Sequence, residues 1–397
     1  MRIIVSVPGR FHGFELAREL QNRGHLTKLV TSYPKSEAEK YGVPKEKICS
    51  ILLKEILQRG WKKLPFIKNW YNPYPVMEFY DRLAAGYLSE GDLCIAFSGA
   101  GLHTMRKAKK MGMKTVLERG STHIEYQRDT LREEYDIHGV PLAKRDLPRP
   151  QIIAKELKEY EEADRIAVPS TFVKRTFLQK GIPEEKLMVN PYGVNLSSFR
   201  KVPKEDNVFR VIFAGGMSLR KGVHYLLQGF AEANLPNSEL VLLGGMNEEL
   251  KSFFKKYGVR GSTSQGGRTS PVIRYMGHVP QRELHKYYSQ ASVFAICSIE
   301  EGLALVQAQA MACELPLICT PNTGGEELIR DGQEGFIIPI RDVDALKEKL
   351  TYLYEHPEVC HVMGQRARER ARHGFSWQEY GERAERFYEH IISGYQL

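Results

Sequence analysis

The sequence predicts an α/β protein built from two doubly wound parallel-sheet domains. Three observations carry that prediction. At 397 residues the chain is too long for one ordinary core and suits two domains of about 200 residues each. Short β-rich apolar runs alternate with amphipathic helical stretches almost throughout, as parallel strands joined by crossover helices require. The pattern also restarts: "MRIIVSVPG" at the N-terminus and "FRVIFAGG" at residues 209–216 are both strands that run into a glycine turn and then a helix.

Taken in order, the first half holds strands at residues 2–7, 93–97, 114–118 and 165–168. The second holds strands at 210–213, 239–243, 293–297, 316–319 and 335–338. Each is a short apolar run of strand length. Between them "GFELARELQNRG", "LHTMRKAKKMG" and "KGVHYLLQGFAEAN" carry helical periodicity. The stretch "NPYGVNLSSFRKVPKEDN" is rich in Pro, Asn, Ser and charge and reads as a linker near residue 195. The expected domains are residues 1–190 and 191–374, followed by an amphipathic helix in 375–397. The Gly/Ser-rich segment 259–270 reads as a surface loop without chemistry. Two such domains facing each other place a ligand cleft at the carboxyl ends of their strands.

Composition narrows the class. With 42% hydrophobic and 26% charged residues the chain matches ordinary globular proteins. No apolar run reaches the roughly 18 residues that cross a bilayer. The N-terminal apolar run turns straight into a charged amphipathic pattern, unlike a signal peptide, so the expected location is the cytoplasm. Six cysteines show no CxxC pair, and several sit in apolar runs, where a free thiol is a small buried hydrophobe. A net charge of +9 suits anionic small molecules, an anionic membrane or nucleic acid. No zinc-finger or RNP-type motif accompanies it, which ranks nucleic acid last.

The segment "EEGLALVQAQAMACELPLICTPNTGG", residues 300–325, carries the chemistry. With residues 303–313 helical, Glu301-Gly302 directly precede a helix N-terminus, where unpaired amides and the dipole suit a diphosphate. Gly302 would let that ligand approach the backbone. Glu301 and Gln309 are eight positions apart, about 12 Å along a helix. That is the span from ribose to sugar in a nucleotide diphosphate sugar, and both side chains can accept hydrogen bonds from hydroxyls.

These residues resemble the signature of the retaining glycosyltransferases of family 4, which have the GT-B fold: two Rossmann-like doubly wound domains facing across a cleft. "EEADRIAVPSTFVKRTF", "NPYGVNLSSF", "FAGGMSLRKGVHYLL" and "YMGHVPQRELHKYYSQASVF" follow the family's order and spacing. The resemblance implies that Glu301 bonds donor-sugar hydroxyls and that Gln309 stands where a second Glu grips the ribose, having lost its charge. It places Gly302, Leu303, Ala304 and Leu305 along the donor phosphates. In "FAGGMSLRKG" Lys221 matches the family's lysine, and Gly216 stands where an Arg is usual. The adjacent Arg220 can supply that charge, and two cations at a phosphate-facing turn would neutralise a leaving diphosphate. Val279 in "MGHVP" matches the residue that packs on the nucleotide base.

In the first half, Gly9 and Gly13 sit at the turn from the first strand into the first helix, without a full GxGxxG pattern. By resemblance Gly13 approaches the donor; by itself the glycine serves a tight turn equally well. His123, in "KTVLERGSTHIEYQ", matches the family's active-site histidine, while Arg119, Glu125 and His103 are cleft candidates without motif support. Asp342 and Asp344 form an Asp-x-Asp, but they open an amphipathic helix, where capping explains them better than a metal. With Arg220 and Lys221 supplying positive charge, no metal and no resident cofactor is expected. The stretch 54–75 mixes Lys and Arg with Trp and Phe; it suits contact with the inner face of an anionic membrane, or an ordinary loop with snorkelling lysines.

The resemblance therefore implies a hexosyltransferase that moves sugar from a UDP- or GDP-sugar to a hydroxyl of a carbohydrate or lipid-linked acceptor, with retention. The C-terminal helix would cross back onto the first domain, as in the family. Two alternatives stand beside it: a non-catalytic nucleotide-sugar-binding partner, suggested by Gln309 and Gly216, and a sugar-nucleotide epimerase of the same fold.

Overall fold

A computed structural model describes residues 1–63, 72–261 and 271–394, with the side chains of 61–63 excepted. The basic aromatic stretch 54–75 falls partly, and the Gly/Ser-rich segment 259–270 largely, outside the described residues. Two seven-stranded sheets form the frame, and every pairing within them is parallel. The first runs β3-β2-β1-β4-β5-β6-β7, with β1 Ile3–Val7, β2 Leu26–Thr31, β3 Ile48–Ser50, β4 Leu93–Phe97, β5 Lys114–Glu118, β6 Arg165–Val168 and β7 Leu187–Val189. The second runs β10-β11-β9-β8-β12-β13-β14, with β8 Phe209–Ala214, β9 Ser238–Leu243, β10 Arg260–Gly261, β11 Val272–Gly277, β12 Val293–Ile296, β13 Leu317–Cys319 and β14 Gly335–Ile337.

Helices cover both faces. Those of the first half are α1 Gly13–Asn22, α2 Lys35–Glu39, α3 Leu52–Lys63, α4 Pro73–Gly86, α5 Leu102–Lys110, α6 Ile124–Ile137, α7 Pro150–Glu162 and α8 Thr171–Leu178. The second half has α9 Val223–Ala233, α10 Lys251–Lys256, α11 Leu284–Gln290, α12 Leu305–Ala312, α13 Gly325–Leu328, α14 Val343–Glu355 and α15 Pro357–Arg372. Last comes α16 Trp377–Ser393. Central strands such as β1 (IIVSV) and β4 (LCIAF) are buried at every position. This explains why they read as continuous apolar runs rather than alternating ones.

The chain crosses between the halves twice, and the crossings lie side by side. The Val194 amide donates to Phe375 O at 2.7 Å. A Cβ at Gly193 would come within 2.5 Å of the Trp377 nitrogen, so only glycine lets the two strands of chain touch. Beyond this point α16 packs on α1 of the first half. A capping box between Ser376 and Glu379 starts it. Glu385 then accepts from His25 at 2.6 Å and pairs with Arg23 at 3.3 Å, while Arg383 donates to Asn190 at 3.0 Å.

The chain switches sides of its first strand between β1 and β4 in one sheet and between β8 and β12 in the other. Loops diverge there and leave a crevice at the carboxyl ends. The two crevices face each other, and the residues with chemical potential gather between them.

Candidate functional site at the cleft between the sheets

On the second-half side, β8 runs into a turn at residues 215–222 that leads to α9. Gly222 has φ of +62°, and a Cβ there would meet Cys297 O at 1.8 Å, so the turn is pressed onto the end of β12. This presents Arg220 and Lys221 to the cleft. The Lys221 ammonium touches the Glu301 carboxylate. Burial, and then the Arg220 guanidinium, lower the Lys221 pKa from 10.5 to about 7, so an anion beside it decides whether it stays charged. Gly216 is exposed, with open space where a Cβ would stand.

The segment 300–312 differs from expectation at its start. The helix begins at Leu305, not 303, with Ala304 as its cap. Residues 301–304 are therefore non-helical, and a helical ruler from Glu301 to Gln309 does not apply. Gly302 is needed for a reason other than ligand approach. A Cβ there would lie 2.0 Å from Gly120 O of the first half, and Gly302 O accepts from Ser170 Oγ at 2.8 Å. Among the described residues, the amides of Gly302, Leu303, Leu305 and Val306 have no acceptor. Such a row of free N–H groups at a helix start suits an anion.

The two glutamines separate cleanly. Gln307 is fully buried and holds the neighbouring turn, donating to Thr323 O at 3.0 Å and accepting from Thr323 Oγ1 at 3.1 Å. The Oε1 of Gln309 is buried with no partner among the described residues. An orphaned acceptor of this kind is costly unless a ligand donates to it.

Sequence reasoning missed the residue that ties the two halves together. Glu300 is fully buried and accepts from Ser121 Oγ at 2.6 Å, Thr122 Oγ1 at 2.6 Å, Thr122 N at 3.2 Å and Gln127 Nε2 at 3.1 Å, all from the first half. From its own half Arg220 donates Nε to it at 2.7 Å. Burial would raise this carboxyl; the Arg220 charge and the hydroxyl and amide donors outweigh it and hold the pKa at about 2. One ionised carboxylate thus fixes both the first-half loop and the Arg220 fork.

On the first-half side, a cavity of about 390 Å³ opens at the ends of β1, β4 and β5, with Leu305 of α12 reaching in from across the cleft. His12 and Glu118 line it, paired Nε2 to Oε2 at 3.0 Å. Neither was a sequence candidate. The signal was available: His12 lies in the turn after the first strand, and Glu118 is the last residue of β5.

Several expected residues are placed differently. His123 is 1% exposed and caps α6, accepting from the Glu125 amide at 3.3 Å. Its ring packs against Tyr160 and Phe177 at 5.0 and 5.1 Å. It stands behind the cleft floor, and burial, then Arg119, lower its pKa to about 4. Gly13 is buried, and a Cβ there would meet Val7 at 2.9 Å and Phe97 at 3.0 Å, so packing requires the glycine. Val279 is half-buried in a separate depression with Met276, His278 and Tyr287, away from Glu301 and Lys221. Of the other cleft candidates, Arg119 lines the cavity and pairs with Glu156 at 2.7 Å, whereas His103 bonds Glu78 on the far side of α5. Asp342 caps α14 through the Ala345 amide at 2.8 Å, and Asp344 pairs with Lys347.

Two side-chain groups have metal-like spacing, Glu134 with His138 and His224, and Glu78 with Asp81 and His103. In each a protein cation already neutralises the carboxylates. Arg341 bonds Glu134 at 2.8 Å, and Lys155 bonds Glu78 and Asp81 at 2.9 and 2.7 Å. They serve as buried ion-pair clusters, the first of them bridging α6 and α9 across the halves.

The paired crevices, the basic turn and the Glu301–Gln309 segment define a two-domain α/β protein of the GT-B kind. Residues 195–370 match the family model described as glycosyl transferases group 1. The D-inositol 3-phosphate glycosyltransferase of a Nocardioides species is 28% identical over 265 residues, 60% of this chain and 56% of that protein. The chain spans 49–60% of the length of the first curated relatives it matches. Among solved structures, a sucrose-phosphate synthase from Thermosynechococcus elongatus superposes with a TM-score of 0.70 at 17% identity, covering 100% of both chains. Anabaena Alr3699/HepE in complex with UDP and glucose superposes with a TM-score of 0.69 at 15% identity, covering 98% of this chain and 99% of that one. Both share the fold.

Proposed function

We propose that the chain is a retaining hexosyltransferase that moves a sugar from a UDP- or GDP-sugar to an acceptor hydroxyl. Residues 191–374 act as the donor domain, 1–190 as the acceptor domain, and the segment 375–397 belongs with the latter. The carrying observation is the basic turn set against free amides: Arg220 and Lys221 beside the unpaired N–H groups of Gly302, Leu303, Leu305 and Val306. A diphosphate placed there is met by two cations and a helix start.

In this reading Glu301 accepts from donor-sugar hydroxyls and Gln309 from the ribose. Transfer follows a front-face path. The bond from C1 to the diphosphate oxygen breaks, a bond from C1 to the acceptor oxygen forms, and the acceptor proton passes to the departing diphosphate. Lys221 and Arg220 stabilise the leaving charge. The mechanism draws its positive charge from the protein and calls for no resident cofactor. The acceptor is a carbohydrate or a lipid-linked one, and α3 supports membrane contact. Its Leu52, Leu53, Ile56 and Leu57 are 43, 48, 64 and 42% exposed. No helix among the described residues is long and apolar enough to cross a membrane.

Thermal-shift titration with UDP, GDP and ADP and their sugars, followed by nucleotide release with added acceptor extract, tests the reading. Stabilisation by one nucleotide with acceptor-dependent release is expected. Saturable binding without release would make the chain a binding partner, and conversion of donor without acceptor would make it an epimerase.

A further inference from the structure

We propose that His12 and Glu118 hold the acceptor, and that their cavity is built for an amphiphile: a sugar head carrying adjacent hydroxyls, with an apolar aglycone. The proposal rests on the glycosyl-transfer reading and names the substrate class of its first-half site.

The polar floor comes first. An ionised carboxylate can only accept, so His12 Nε2 donates to Glu118 Oε2 at 3.0 Å. Nδ1 of His12 and Oε1 of Glu118 make no further bond among the described residues and are left to the cavity. Both side chains are nine-tenths buried, at 6 and 5% exposure. The imidazole cannot turn away, because Tyr192 and Phe97 flank it at 4.4 and 4.9 Å. Two such groups fixed side by side in the cavity lining suit a ligand that bonds both at once. Neighbouring hydroxyls of a sugar ring do so.

The walls are of opposite character. Pro8, Phe11, Met77, Phe97 and Leu305 surround this floor. Phe11 is the unusual one. It is 62% exposed at φ +34°, a left-handed conformation that an aromatic residue rarely adopts. Gly9 makes room for it, since a Cβ there would meet the Phe11 ring at 2.8 Å. The ring is thereby held over the cavity rim, nearly parallel to Phe97 at 6.4 Å and 17°. Ser32 Oγ lies 2.9 Å from both Pro8 O and a Glu55 carboxylate oxygen of α3 and shares its one proton between them, which sets the cavity wall beside the helix that exposes Leu52, Leu53, Ile56 and Leu57. A free sugar has no use for apolar walls and an aromatic rim, whereas one carrying an apolar aglycone does.

Ligand-observed NMR with octyl and methyl glucosides and mannosides, kept below micelle concentrations, tests this on the full chain. At least one octyl glycoside binds about tenfold or more tightly than its methyl counterpart, which burial of two methylenes suffices to produce. Glu118→Gln weakens octyl and methyl glycosides alike. Phe11→Ala, at an exposed rim position that folding tolerates, weakens only the octyl form. Nucleotide stabilisation, measured in parallel, stays as in the parent chain for both variants. Equal binding of octyl and methyl forms, no binding of either, or indifference to both substitutions overturns the proposal. If no nucleotide stabilises the parent chain, it is the glycosyl-transfer reading that fails.

Discussion

Lys221 and Gln309 carry the sharpest expectations at the scale of single residues. Lys221→Ala removes a cation from the leaving-group side and should lower turnover by roughly a hundredfold or more; steady-state nucleotide release with acceptor present checks it, and an unchanged rate removes Lys221 from the mechanism. Gln309→Glu restores a charge while keeping an acceptor where Oε1 now lacks a donor. Calorimetric titration should show donor nucleotide affinity retained or improved, and a severe loss would break the ribose assignment. Lys221 was singled out by the resemblance, and Gln309 by a helical spacing from Glu301 that the late helix start at Leu305 removes. His123 lies differently from the cleft position expected of it. A histidine just past a strand end suggests a cleft, but the chain turns between Gly120 and His123, and a cap position with aromatic neighbours draws the ring inward. Glu118 and His12 went unread because their meaning lies in each other, across 106 positions of sequence.

Between elements, the decisive contact is the clasp of Glu300 by the loop 121–127 and the basic turn. Its carboxyl titrates at about 2 in the folded chain against a usual 4.5. The stabilisation is therefore complete above pH 4.5 and is lost as the pH falls from there toward 2. Thermal unfolding of the parent and of Glu300→Gln should differ by a constant amount between pH 6 and 8, and the gap should shrink below pH 4.5. A gap independent of pH would mean that the ionised carboxylate is not the source. No sequence pattern announced this clasp, since its parts are short polar residues nearly 180 positions apart. The strands show the same division. β4, β5 and β6 have the expected bounds because apolar runs define them. β2 (LTKLVT) and β11 (VIRYMG) were missed because a charge interrupts each. In β11 that charge, Arg274, contacts Glu239 of β9, a pairing visible only once the strands are side by side.

For the whole molecule, the exposed face of α3 makes a claim about where the protein works. Ile56→Ser with Leu57→Ser should reduce cosedimentation with anionic phosphatidylglycerol vesicles roughly tenfold, while nucleotide affinity stays unchanged; equal cosedimentation would remove α3 from any membrane contact. The restart of the strand-helix pattern made the two sheets legible from sequence, because each repeats the same periodicities. Their connection was harder to read, since it depends on Gly193 and Val194 meeting the chain again at Phe375 and Trp377.

That meeting has a topological result. Residues between the two crossings form an insert whose entry and exit are already hydrogen-bonded neighbours, so the covalent links between the halves run through one narrow double tether, while the Glu300 clasp holds them at the cleft. Excised at that tether, the insert would be a continuous piece of chain with adjoining ends, ready to be joined by a short linker.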